Sequence, residues 1–225
     1  MRVLYHFSLD PASRQARIAL GEAKLKVKLE LINPWAPEEA FLSQVAEAIP
    51  PALSDIVAGG TVMIVGARAI CEYMVDSAPK ARLMPSDAAE RAEARRLCDW
   101  LDGKFSDEVH AYILHERVEK VMLAHEAPHP PTLRAGREAL NMHLEYLTWL
   151  LEKRAYLAGR HFSLADVAGA AHISCLDFLG EIRWRDWPEL RGWYQKLKSR
   201  PSVQPLLSDR VAGLIPPRHY RDLDF

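Results

Sequence analysis

Ser77-Ala78-Pro79-Lys80-Ala81-Arg82-Leu83-Met84-Pro85 divides the chain. Its two prolines and small or polar residues deny it a regular helix or strand, so residues 77–85 read as a linker. Before it, strand and helix signals alternate. Val3-Leu4-Tyr5-His6-Phe7 is β-prone, and Pro11 opens a helical stretch carrying Ile18, Leu20 and Leu25. Val27-Lys28-Leu29-Glu30-Leu31 alternates apolar and charged residues, the pattern of a half-buried strand. Glu38 to Ala48 reads as a short helix. Pro50-Pro51-Ala52-Leu53 enters the next strand, and Ala58-Gly59-Gly60 turns into Thr61-Val62-Met63-Ile64-Val65. Ala67 to Val75 is helical again, which makes the order βαβαββα.

After the linker only helices are predicted. Asp87-x-x-Glu90 opens a long helix with Leu97, Trp100, Leu101 and Phe105 at helical spacing. Residues 132–154 form another, with Leu140, Leu144, Leu147 and Leu151 on its apolar face. Ser163-Leu164-Ala165-Asp166 is a second capping box and Asp186-Trp187-Pro188-Glu189 a third. The expected organisation is an α/β unit at 1–76, the linker, an all-helical unit at 86–212 and an extended tail at 213–225.

Composition limits the function classes. The chain has 225 residues, 49% of them apolar and 26% charged, an ordinary globular balance. Lys+Arg number 29 against 30 Asp+Glu, for a net charge of −1. That argues against a protein built to grip nucleic acid or an anionic membrane. Cys71, Cys98 and Cys175 lie far apart, without metal-ligand or disulfide spacing, and suit a reducing compartment. The first residues lack a signal-peptide core, and the longest apolar uncharged stretch, Ile56 to Ala67, is too short to span a bilayer. A soluble, cytoplasmic protein is expected.

Four short patterns stand in order along this plan. They are Ser13-x-x-x-Arg17-Ile18-Ala19-Leu20, Pro51-Ala52-Leu53, Ala69-Ile70-x-x-Tyr73 and Phe162-Ser163-x-x-Asp166. Together with the βαβαββα-linker-helical order, they resemble the glutathione S-transferase superfamily over roughly residues 2 to 205. The resemblance implies a thioredoxin-like α/β domain, a cis proline at Pro51 and an all-α domain. It also implies a twofold dimer that packs the α/β domain of one subunit on the long helix of the other, through Met63, Tyr73 and the face carrying Arg91 and Arg95.

A fold does not fix a function, so the implied glutathione slots are read one by one. The activating Ser or Cys of one set of branches falls on Asp10, seven residues before Arg17. A carboxylate cannot donate to a thiolate, and its charge opposes thiol ionisation. The Tyr slot of other branches falls on His6, which reads better as a locally bonded strand-end histidine. The residue that pairs its backbone with the cysteinyl unit falls on Pro50, which has no N–H. The acidic and Ser pair that holds the γ-glutamyl end falls on Gly66 and Ala67. Three lost contacts of about 1–1.5 kcal/mol each leave room for weak glutathione binding but not for thiol activation. The expectation is a protein without a required cofactor and without a working transferase site. Its alternative is an active transferase or peroxidase that uses His6 or a water-assisted thiolate.

His125-Glu126-Ala127-Pro128-His129 matches a zinc-protease pattern, but Pro128 breaks the helical turn that would bring the histidines together, and no metal is expected. Trp35, in Asn33-Pro34-Trp35-Ala36-Pro37, sits on a loop that two prolines hold extended. It is a candidate partner anchor, or a tryptophan folded onto its own domain. Glu116 lies in a charged run that reads as a solvated helix face and is carried as a further candidate contact. In the tail, Pro216-Pro217 stops the preceding helix and projects Tyr220, Asp222, Asp224 and Phe225 outward. Such a segment binds a partner or docks on its own body, where the two aromatics would fill the disused cleft. The ending Tyr220-Arg221-Asp222-Leu223-Asp224-Phe225 resembles that of a divergent superfamily branch, the FtsZ-localised proteins of bacterial cell division. That resemblance implies an adaptor for FtsZ filaments, recruited to the division site, with no nucleic-acid partner and no membrane insertion.

Overall fold

The structure is a computed structural model that describes every residue except Ala124 and His125. Its sheet has four strands, β1 (Val3–His6), β2 (Lys28–Leu31), β3 (Ala52–Val57) and β4 (Gly60–Val65), in the order β2-β1-β3-β4. β2 runs parallel to β1, while β3 runs antiparallel to both β1 and β4. Helices α1 (Pro11–Glu22), α2 (Glu39–Leu42) and α3 (Ala67–Ser77) complete the expected βαβαββα order. Pro51 follows a cis peptide bond. β2 is less buried than its alternation suggests. It is an edge strand, and Leu29 and Leu31 are 42% and 65% exposed. Alternation marks one sheet face; whether that face is covered depends on the neighbouring layers.

Beyond residue 87 the described structure is helical. One rod runs over residues 88–123. It begins as α4 (Ala88–Trp100), continues through α5 (Ala111–Leu114) and ends in α6 (Lys120–Leu123). The stretches Leu101–His110 and His115–Glu119 between them carry wider i→i+5 turns. Asp87 starts the rod by accepting from the backbone N–H groups of Ala89 and Glu90 at 2.9 and 3.0 Å. α7 (Pro130–Leu151) follows, with Pro130 and Pro131 in its first turn, where a missing N–H costs nothing.

α8 (Leu164–Phe178) is buried at every position. Its capping box is formed: Ser163 N donates to Asp166 Oδ2 at 3.0 Å, and Ala165 N donates to Ser163 Oγ at 3.3 Å. Asp166 also takes Leu157 N and Trp193 Nε1, both at 2.9 Å, so this carboxylate ties α9 (Pro188–Lys198) to α8. The third expected capping box is absent. Asp186 pairs with Arg183 and Arg185, and Trp187 stands at the helix start without a side-chain cap. Asp186 closes the short turn Trp184–Asp186 and stands one residue before the cap position, which Trp187 takes.

α1 joins the sheet to the helices. Arg14 is fully buried, donating to Ser8 O and to Ser174 Oγ of α8, each at 2.8 Å. Arg17 grips Asp209 with two bonds of 2.7 and 2.9 Å. One apolar cluster, with Leu4, Ile18, Phe105, Leu147, Phe178 and Trp193 among its members, runs through the sheet side and the helices alike. This bolted junction leaves a cleft between the end of β1 and the rod.

Candidate functional site

The cleft encloses about 800 Å³. On the sheet side it is walled by Phe7, Leu9 and Asp10 after β1, by Trp35, by Pro50 and by the start of α3. The opposite wall is the widened part of the rod, with Asp102, Ser106, His110 and Val118, together with His172 of α8. Wide turns push successive side chains out of α-helical phase, and here they face the cleft.

Asp10 is committed to the backbone. Its carboxylate caps α1, accepting from Ser13 N at 2.7 Å and Ala12 N at 3.3 Å, and desolvation raises its ionisation above the ordinary carboxylate range. Ser13 accepts from Phe7 N at 3.1 Å and is wholly buried. His6 lies outside the cleft wall. It is 5% exposed, and burial together with the charge of Arg17 lowers its pKa to about 4, so it is neutral at physiological pH.

Pro50 lines the cleft, while the carbonyl of Pro51 accepts from Gly66 N at 2.8 Å. Gly66 adopts φ 89°, a left-handed conformation natural to glycine, and turns the chain from β4 into α3. Neither Gly66 nor Ala67 offers a polar side chain, so the start of α3 presents to the cleft its backbone N–H groups, its helix dipole and the side chain of Arg68, which pairs with Asp99 at 2.8 Å.

Residues 4–82 match the family model "Glutathione S-transferase, N-terminal domain", and residues 109–201 match "Glutathione S-transferase, C-terminal domain". The chain belongs to the glutathione S-transferase family. Among its relatives is "FtsZ-localized protein A" of Caulobacter vibrioides, 47% identical over 224 residues, covering 100% of this chain and 98% of the relative. The solved structure "FzlA from C. crescentus" superposes with a TM-score of 0.97 at 47% identity, covering 100% of this chain and 99% of that one. A glutathione S-transferase of Rhodospirillum rubrum superposes with a TM-score of 0.94 at 40% identity, covering 100% of both chains.

On this glutathione S-transferase fold the other sequence candidates are scattered. Trp35 is half-buried at the lip of the cleft, its ring edge-on to Phe7 at 5.2 Å between centroids. It is both a cleft residue and a packed one. Glu116 corrects the sequence reading. It is 3% exposed rather than solvated, accepting from His129 N at 2.8 Å and Lys120 Nζ at 2.9 Å. The His129 amide holds its carboxyl below the ordinary range. The rod's wide turn rotates Glu116 inward, which straight helical spacing could not reveal. The zinc-protease pattern begins at His125, outside the described residues.

The tail follows the self-docking alternative instead of projecting, but on a surface other than the cleft. Tyr220 is 0% exposed, its hydroxyl donates to Leu206 O at 3.0 Å, and its ring meets Phe178 edge-on at 5.2 Å. Phe225 packs against Trp184 at 5.0 Å, beneath Nζ of Lys198 at 4.0 Å. Lys198 is itself buried and donates to the carbonyls of His219 and Asp222. The aromatics therefore dock on α8 and α9 and leave the cleft open. Asp222 and Asp224 stay exposed.

Of the residues expected at a dimer face, Met63 packs with the Phe41 cluster on one face of the sheet and Tyr73 with the larger core on the other. Met63 is half-buried on β4, Tyr73 donates to Asp55 Oδ2 at 3.0 Å, and Arg95 pairs with Glu72 at 2.8 Å. Arg91 donates to Pro85 O at 3.4 Å.

Sequence reasoning missed the polar cluster in the helical wall. Asp102, His110 and His172 are joined by hydrogen bonds of 3.0 and 2.9 Å. The eight-residue step from Asp102 to His110 is close to two helical turns, a signal of a shared face. His172, on another helix, carried no such sign.

Proposed function

We propose that the chain is a cytoplasmic adaptor that binds FtsZ and organises its filaments at the division site, without transferase chemistry. Its full-length kinship with FtsZ-localized protein A carries this reading. The glutathione slots agree. Asp10 is spent on a helix cap, Pro50 has no N–H, and Gly66 and Ala67 bring no polar group. Glutathione is left with the helix dipole of α3 and with Arg68, already paired with Asp99, and binds weakly.

The partner surface in this reading comprises Trp35 at the cleft lip and the exposed carboxylates Asp222 and Asp224. Tyr220 and Phe225 serve it indirectly by holding the tail in place, and Glu116 by fixing the backbone of His129. A homodimer through Met63, Tyr73, Arg91 and Arg95 presents two equivalent surfaces, which suits the bridging of filaments. Among the described residues no helix is long and apolar enough to cross a membrane. Co-sedimentation with assembled FtsZ, run beside a glutathione-conjugation assay, tests the proposal.

Kinship with the glutathione S-transferase of Rhodospirillum rubrum supports a second reading, an active transferase or peroxidase with an atypical site. Robust conjugation lost in His6→Ala would favour it.

A further inference from the structure

β2 is a bare edge of the sheet, the strand farthest from β4. Lys28 N donates to Arg2 O at 3.0 Å and Ile32 N donates to His6 O at 2.8 Å, so the even-numbered residues turn their backbone groups toward β1. The N–H and C=O groups of Leu29 and Leu31 therefore point outward. Among the described residues β2 pairs with β1 alone. Folded chains ordinarily blunt such an edge with proline, a bulge, charge or a covering segment. Here residues 25–32 contain neither proline nor glycine, and the register with β1 runs unbroken. Leu29 and Leu31 stand 42% and 65% exposed. The only charges on the strand, Lys28 and Glu30, share one face and pair with each other.

Those two charges select a register. Two copies meeting antiparallel about a twofold axis, with their outward-facing backbone groups opposed, can set the axis at Lys28, Leu29 or Glu30. An axis at Lys28 puts Lys28 opposite itself, and an axis at Glu30 puts Glu30 opposite itself. Like charges directly opposite destabilise a strand pair. With the axis at Leu29, Lys28 of each copy faces Glu30 of the other, so opposite charges meet twice. On the other face Leu29 meets Leu29, and Val27 meets Leu31 twice. Leu29, outward-facing and on the axis, exchanges two backbone hydrogen bonds with its counterpart.

We propose that β2 is a homotypic contact: the same strand of a second copy of this chain pairs with it antiparallel, in the register centred on Leu29, and continues the sheet across both molecules. Such a contact buries one strand of each copy and closes on itself. It lies at the sheet edge opposite β4, so it leaves Met63 free, and it is independent of the adaptor reading.

Sedimentation velocity on the full chain, from micromolar to millimolar concentration, tests it. The average mass should rise across that range. Lys28→Glu and Glu30→Lys each set like charges opposite in the selected register, and each should weaken the step about tenfold. Mixed in equal amounts, the two variants should associate as the unmodified chain does, because each supplies the charge that the other lacks. Hydrogen exchange gives a readout in the unmodified protein, should a variant fail to fold. The amides of Leu29 and Leu31 should gain protection as concentration rises, while those of Lys28 and Ile32, bonded within the sheet, should keep theirs. A constant mass, a rise that persists undiminished in both variants, or a mixture of folded variants that fails to associate would overturn the proposal. So would protection of Leu29 and Leu31 that arrives only with assembled FtsZ, which would give the edge to the filament.

Discussion

At Trp35, packing and exposure meet on one ring. The edge contact with Phe7 buries part of the indole, and the remainder borders the cleft. Trp35→Ala should therefore lower stability by about 1–2 kcal/mol, less than the ~3–5 kcal/mol of a fully buried aromatic. It should also weaken filament binding by about 2 kcal/mol, in keeping with an aromatic anchor. Urea melts and co-sedimentation on the same preparation separate the two effects. A stability loss with undiminished binding would make Trp35 a packing residue alone. His6 gives the pH dependence. Its ordinary pKa of 6.5 is lowered to about 4 by burial and by the charge of Arg17. Between those values the unfolded chain binds a proton that the folded chain refuses. Stability from this group is complete above pH 6.5 and falls by about 3 kcal/mol on acidification toward pH 4. In His6→Gln the slope of unfolding free energy over that window should flatten, and an unchanged slope would assign the acid sensitivity to other groups.

Helix contacts and the tail set the scale above. α7 crosses the rod closely enough that a Cβ on Gly136 would lie 2.8 Å from Cβ of Tyr112 and 2.9 Å from Cγ1 of Ile113. Neither neighbour is the loose end of a long side chain, so Gly136→Ala should cost about 1–3 kcal/mol through forced separation of the helices. A melting temperature equal to that of the unmodified chain would show that the helices yield freely. The docked tail makes a paired prediction. Tyr220→Ala opens a cavity against Phe178 and should cost about 3 kcal/mol or more. Asp224→Lys, on an exposed side chain, should leave stability unchanged and impair partner binding in a salt-sensitive way. If Asp224→Lys binds normally, the tail is a structural strap and no contact surface. Element order was legible because each strand and helix carries its own periodicity and caps, as at Asp87 and Ser163. Where Tyr220 docks was not, because it depends on what lies across from it: Phe178, the Leu206 carbonyl and the buried Lys198. The cis Pro51 and the Asp10 slot were readable by resemblance, since both are fixed by local sequence. The Asp102–His172–His110 chain was hidden, because it joins two helices that no single stretch of sequence connects.

At the scale of the whole molecule, the glutathione S-transferase fold holds its cleft and its C-terminal tail on one scaffold. Bolting α1 to α8 through Arg14 makes the sheet and the helices one unit, so the cleft lip and the tail keep a fixed relation. A twofold dimer through Met63, Tyr73, Arg91 and Arg95 would double that surface and let one particle bridge two filaments. Sedimentation at micromolar concentration should show a dimer, and reversing charge at Arg95 should shift it toward monomer. A single monomeric species before any substitution would remove the bridging geometry. Partner binding without transferase chemistry is decided by pelleting the chain with assembled FtsZ while assaying the same preparation for conjugation of a standard electrophile to glutathione. An adaptor should co-sediment saturably and leave the conjugation rate no higher than without protein. Conjugation well above that background, with the chain left in the supernatant, would contradict the adaptor reading.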